Sequence, residues 1–170
     1  MMAWRNRMMA AMAALALAGC SQAAEQTAER ETAPTASATT AANAHPLSGL
    51  EVVPVTVTTA DGTAHTFRAE LAASADEQRR GLMFRTEMGP DEGMLFPYAA
   101  PQVLSFWMHN TVLPLDLVFI DADRTIINIG AGEPYNETSI TSDRPGIAVL
   151  ELNAGRAAEL GIAPGDRVDW

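Results

Sequence analysis

Residues 51–71 read EVVPVTVTTADGTAHTFRAEL, and the period of that stretch is two. Val53, Val55 and Val57 share one face while Thr56 and Thr58 share the other, which is the alternation of a half-buried strand. Asp61-Gly62 supplies a hairpin turn, because glycine accepts the positive φ that such turns demand. Thr63 to Leu71 then returns with His65, Phe67, Ala69 and Leu71 on one face. A hairpin at the head of the domain predicts a β-rich fold.

The chain beyond it agrees. Ser74 with Glu77 three residues on is a capping box for a short helix, which Gly81 ends. Gly93–Phe96, Val103–Met108, Leu115–Ile120 and Thr125–Ile129 read as strands, the last two joined by the Asp121-Ala122-Asp123 turn. A polar loop is expected from Gly130 to Pro145, then a strand over Ile147–Leu152. Asn153 is placed to cap a helix from Ala154 to Leu160, with Gly161 as its stop, and Arg167–Trp170 follows the last turn. Short strands with regular turns predict a mainly β (α+β) domain, either a small barrel-like sheet or a two-sheet arrangement, carrying two short helices. The domain spans residues 50–170, about 120 residues, enough for one core without staples.

Upstream of the hairpin the composition changes. Residues 20–49 are mostly Ala, Thr, Glu, Gln, Ser and Pro, too polar to offset their own ordering entropy, and read as a flexible tether. By the flexible-coil rule it reaches roughly 30 Å. Residues 1–19 read as a signal peptide: Arg5 and Arg7 precede an unbroken apolar run from Met8 to Ala18, shorter than the about 20 residues that a membrane span needs. The run ends in Leu17-Ala18-Gly19-Cys20, which resembles the lipobox of bacterial lipoproteins. That resemblance implies a diacylated Cys20, cleavage before it, and a membrane partner reached through the lipid. An ordinary signal peptide cut after Ala23 is the alternative. Ser21, where Asp would retain such a protein at the inner membrane, implies export to the outer membrane, facing the periplasm.

Missing residue types exclude whole chemistries. The formal net charge is −10, with 21 acidic against 11 basic residues and no Lys among the latter. Nucleic-acid binding rests on neutralising phosphates with Lys and Arg, so no nucleic-acid partner is expected. Cys20 is the only cysteine; the domain has no thiol nucleophile and no CxxC pair. Without Lys there is no Schiff base and no phosphate-loop lysine. Gly130-Ala131-Gly132 lacks the third glycine and the following helix of a dinucleotide fingerprint. His65 and His109 have no zinc-ligand spacing. No cofactor and no metal is expected on these grounds.

Three stretches carry a resemblance: Glu77-Gln78-Arg79-Arg80-Gly81-Leu82-Met83, then Asp91-Glu92-Gly93-Met94-Leu95-Phe96, then Ser105-Phe106-Trp107-Met108-His109-Asn110-Thr111. With Pro114-Leu115-Asp116, Val149-Leu150-Glu151-Leu152 and Pro164-Gly165-Asp166, they resemble the domain-of-unknown-function 192 family over nearly all of residues 50–170. The resemblance implies a compact, mainly β fold, often exported, with no established substrate or reaction. His109 stands where that family usually has Lys. The loop Glu133–Thr138 lacks the Cys pair of many relatives, so no redox or thiolate-metal role is carried over.

The candidate site is the polar and aromatic segment from Trp107 to Asp116. In the plainest reading Asn110 and Thr111 satisfy backbone in a turn and Asp116 caps it. In the binding reading Trp107 and Tyr98 form an aromatic wall edged by Arg80, Glu92, Asn110, Thr111, His109 and Asp116, holding a small molecule, a saccharide or an envelope-protein fragment. In the catalytic reading His109 is a general base oriented by Asp116, with Ser105 or Thr111 as nucleophile. A soft-metal reading gathers Met83, Met88, Met94 and Met108 beside His109 for Cu(I), against their use as core filler. The sequence favours a non-catalytic envelope lipoprotein that binds a small ligand or a partner, with a structural or assembly role as the alternative.

Overall fold

The computed structural model describes residues 43–170. The expected signal peptide, the lipidated Cys20 and most of the tether lie outside the described residues. The described chain starts within the segment read as tether: Ala44 bridges Glu51, and the Ser48 hydroxyl donates to the buried Glu70 carboxylate.

The leading hairpin forms as its period predicts. β1 (Val52–Thr58) and β2 (Ala64–Leu71) pair antiparallel with Val55 opposite Phe67. Asp61 fixes the turn by accepting from the Thr59 hydroxyl at 2.6 Å and the Thr63 amide at 3.0 Å. Those bonds, the Thr59 hydroxyl first, hold its carboxyl down at about 2. The chain continues through α1 (Ala75–Arg80), β3 (Glu92–Gln102), β4 (Ser105–Phe106), β5 (Leu115–Ile120), β6 (Ile126–Gly132), β7 (Ile140–Thr141), β8 (Gly146–Asn153), α2 (Arg156–Glu159) and β9 (Arg167–Asp169).

Seven strands form one sheet in the order β6-β5-β8-β3-β2-β1-β9, and β4 and β7 form a second, two-stranded sheet. Among the described residues only β2 and β3 run parallel, and α1 lies in the connection between them. An isolated bridge, Thr125 to Arg167, joins the two ends of the large sheet, with the Val168 amide on the Arg124 carbonyl at 2.8 Å and the Ile126 amide on the Asp166 carbonyl at 2.9 Å. No ladder continues from it, so the sheet curls without closing. Of the two arrangements read from the sequence, the two-sheet one is the fold.

The curl gives the sheet two apolar faces. Val55, Val57, Phe67, Leu95, Val118, Leu150 and Val168 fill the first core. Met94, Phe96, Leu115, Leu117, Phe119 and Val149 lie on the opposite face, under Leu104, Met108 and Leu82. β5 and β8 are therefore buried on both sides, which is why LDLVFI and GIAVLELN read as nearly continuous apolar runs.

Three expectations are corrected. The strand read over Val103–Met108 is only two residues long, because Leu104 turns into the core with its amide on the Ser142 hydroxyl at 2.9 Å, and the Met108 amide goes to the Asn136 carbonyl at 3.0 Å. The loop from Gly130 to Pro145 contains the end of β6 and all of β7. A Cβ at Gly130 would stand 2.3 Å from the Ile140 side chain, and one at Gly132 would stand 2.6 Å from the Met108 sulfur. These glycines are strand positions where neighbouring groups lie close, Ile140 of the small sheet at Gly130 and the Met108 side chain at Gly132, not loop punctuation. The second helix is shorter than read, and Asn153 does not cap it; its side chain donates instead to the Met88 and Gly89 carbonyls.

Candidate functional site

α1 has only six residues and depends on its ends. The Ser74 hydroxyl accepts from the Glu77 amide, and the Glu77 carboxylate accepts from the Ser74 amide at 2.7 Å. The Gln78 amide donates to the Pro97 carbonyl at 2.7 Å, tying the helix to β3. Gly81 then turns at φ 46°, where a Cβ would touch the Phe96 ring at 3.4 Å. This brings Gly81, Leu82 and Met83 across that ring.

The opposite wall comes from the end of β4. Phe106 meets Phe96 edge-on at 5.1 Å between ring centres and Phe119 at 6.2 Å. The chain then makes a tight turn, with Asn110 at φ 51°, the Thr111 amide on the Met108 carbonyl and the Thr111 hydroxyl on the His109 carbonyl. The Asn110 carbonyl accepts from the Phe84 amide at 2.9 Å. That bond stitches the two walls together.

Between them lies a narrow cleft with room for about 40 Å³, lined by Gln78, Arg80, Phe96, Trp107, Thr111 and Glu151 among others. By volume it admits one small group, not a whole ligand. Trp107 is 51% exposed at its mouth. The His109 ring stacks on Trp107 with centres 4.9 Å apart and planes 22° apart, and His109 Nδ1 lies 2.5 Å from the Glu137 carboxylate. The two rings make a flat, supported platform.

Glu151 is the unexpected member. It sits in β8 between Met94 of β3 and Leu117 of β5, on the face of the second core. It is 5% exposed, and among the described residues no donor holds its carboxyl. Burial alone pushes that carboxyl up to about 8, so it carries a proton at neutral pH. Buried polar groups are normally paired inside the fold. This one opens onto the cleft.

The other sequence candidates divide. Arg80, Trp107 and Thr111 meet at the cleft, and Asn110 joins its walls. Tyr98 is half-buried against the second core and does not line the cleft with Trp107; burial first, and Glu151 second, push its phenol up. Glu92 is used locally, accepting from the Gly89 amide at 2.9 Å. The His109–Asp116 pair is not formed. Asp116 accepts from the Gly155 amide at 3.0 Å and the Ala157 amide at 2.9 Å, which makes it the cap of α2, while His109 faces Glu137. Ser105 lies exposed in β4 opposite Thr141. Met94 and Met108 are fully buried in the second core and Met88 packs on its edge, which is the role of filler.

A wider groove, about 730 Å³, lies across the Arg80–Met83 ridge and is lined by Leu47, Leu50, Phe84 and Arg85. Arg85 on its wall is held by Glu70, forking onto it at 2.8 and 2.9 Å, while Asp76, Glu77 and Arg80 line it too. The narrow cleft is the stronger candidate because the buried Glu151 and the exposed Trp107 line it and not the groove.

The family model DUF192, described as "Uncharacterized ACR", matches residues 56–170. No curated protein matches the chain. Among solved structures, a protein of unknown function from Novosphingobium aromaticivorans DSM 12444 is 53% identical, with a TM-score of 0.72 over 75% of this chain and 91% of that one. A protein from Sinorhizobium meliloti 1021, described as "a putative transcription regulator", is 42% identical, with a TM-score of 0.69 over 71% of this chain and 94% of that one.

Proposed function

We propose a function for a chain that belongs to the domain-of-unknown-function 192 family: an envelope-tethered binding module that takes the edge of a small ligand into the cleft between Trp107 and Glu151. The observation that carries this reading is the pairing of an exposed aromatic platform with a buried carboxyl that has no partner among the described residues. A flat apolar surface beside a few convergent polar groups suits a ligand with one apolar face and several hydroxyls. Saccharides have that chemistry, and a single hydroxyl or carboxyl group suits the size of the cleft.

The same geometry favours binding over catalysis. His109 lacks the orienting Asp116 that a triad requires. The tether, through an acylated Cys20, would keep the module at the envelope. The description of the Sinorhizobium protein belongs to that protein; an excess of acidic over basic residues gives this chain little means of holding phosphates.

Calorimetric titration with short envelope-derived saccharides tests the reading. Trp107→Ala is expected to weaken binding about tenfold or more, the scale of a lost aromatic contact. Binding that is indifferent to Trp107 would place the ligand elsewhere.

A further inference from the structure

We infer that the cleft selects ligands bearing a carboxylate, as on an acidic sugar, seated between the Arg80 guanidinium and the Glu151 carboxyl; this rests on the reading of the cleft as a small-ligand site.

Most of the domain's arginine charges are already used. Arg79, Arg85, Arg144, Arg156 and Arg167 each meet a carboxylate, and Arg124 lies over the Trp170 ring at 3.3 Å. Arg68 and Arg80 have no carboxylate partner among the described residues; Arg68 lies on β2 beside a separate hollow, whereas Arg80 lines the cleft and also the edge of the wider groove. In a chain with 21 acidic residues, an arginine without one is a charge available to a ligand.

The groups that face Glu151 are few. From α1 come Gln78, whose amide is held by Pro97, Arg79, whose guanidinium is held by Asp76, and Arg80. From the turn after β4 come Trp107 and Thr111, both uncharged. From β3 comes the Tyr98 phenol, neutral across the physiological range because burial raises it. The cleft therefore offers one positive charge without a carboxylate partner, Arg80, and, at neutral pH, a protonated carboxyl.

Both groups are hydrogen-bond donors. The guanidinium presents its N–H groups as a fork, and a protonated carboxyl gives one O–H. Their complement is an acceptor-only group with negative charge, which a carboxylate is. An ammonium group has no acceptor to offer and would face Arg80. When Glu151 ionises, its donor is lost and two carboxylates face each other, so affinity for the acidic ligand falls as pH rises through about 8.

The test uses the full-length, detergent-solubilised protein and three probes that differ at one or two groups: the methyl glycosides of glucose, glucuronic acid and glucosamine. Near pH 6 the glucuronide should bind about tenfold more tightly than the glucoside, the scale of one charge-assisted hydrogen bond. That preference should vanish near pH 9.5, well above the carboxyl's folded value of about 8. Arg80→Gln, at an exposed position, should abolish the preference near pH 6. Glu151→Gln, whose amide donates at any pH, should preserve it at high pH. Equal binding of glucuronide and glucoside, a preference for the glucosaminide, or a pH dependence that survives in Glu151→Gln would overturn the inference. Failure of all three probes to bind at either pH would instead overturn the small-ligand reading beneath it.

Discussion

Glu151 holds the account together at the scale of single residues. Its carboxyl is ordinary in the unfolded chain, near 4.5, and is pushed up to about 8 by burial on folding. The folded state therefore keeps a proton that the unfolded state gives up. The stability this group contributes is full below about pH 4.5 and is lost as pH rises toward 8. The loss is on the order of a few kcal/mol, at about 1.4 kcal/mol for each unit of separation. Urea titrations between about pH 5 and pH 9 are expected to show that decline in the native protein and a nearly flat profile in Glu151→Gln; equal profiles would mean that the carboxyl is not buried. Half of the site was legible in the sequence at this scale. Arg80, Trp107 and Thr111 were read from their place in family-like motifs and polar turns. Glu151 was not, although its signal was present: one acid between Leu150 and Leu152, in a run that is otherwise apolar. Alternation assigns such an acid to solvent. Only the burial of β8 on both faces turns it inward to a core, and that burial depends on β4 and β7.

At the scale of elements, Asp116 shows how a pattern read as catalytic resolves into structure. α2 has four residues and a glycine at its N-terminal boundary, with no side-chain cap of its own. Asp116, across in β5, supplies the missing acceptor to the Gly155 and Ala157 amides. Asp116→Ala should lower stability by about 1–2 kcal/mol, the scale of a lost helix cap, and leave saccharide affinity unchanged. A thermal melt and a binding titration on the same sample check both halves, and a loss of affinity without loss of stability would return Asp116 to the site. The hairpin, α1 and β5 were legible because each is specified locally, by alternation, by a capping box and by an apolar run with a turn after it. β4 and β7 were not. Each is only two residues long and exists through its partner, with Ser105 opposite Thr141 and Phe106 opposite Ile140. The missing side chain at Gly130 on β6 leaves room for Ile140 of β7.

At the scale of the whole molecule, one curled sheet supports two cores, and the site lies against the second, between α1 and the turn after β4. The proposed anchor at Cys20 adds a location to this binding surface. Two or more acyl chains hold a protein to a bilayer where one does not, so Cys20→Ser is expected to move the chain from the membrane to the soluble fraction and to reduce its mass by the lipid. An unchanged distribution and mass would remove the envelope from the account while leaving the cleft intact.

The cleft itself is tested most directly by amide and indole chemical shifts in the isotopically labelled protein as the methyl glucuronide is added near neutral pH. The account predicts saturable shifts centred on the Trp107 indole, Gly81, Thr111 and the Gln78 side chain. Shifts confined to the wider groove at Leu47 and Phe84, or spread over the surface without saturation, would contradict it.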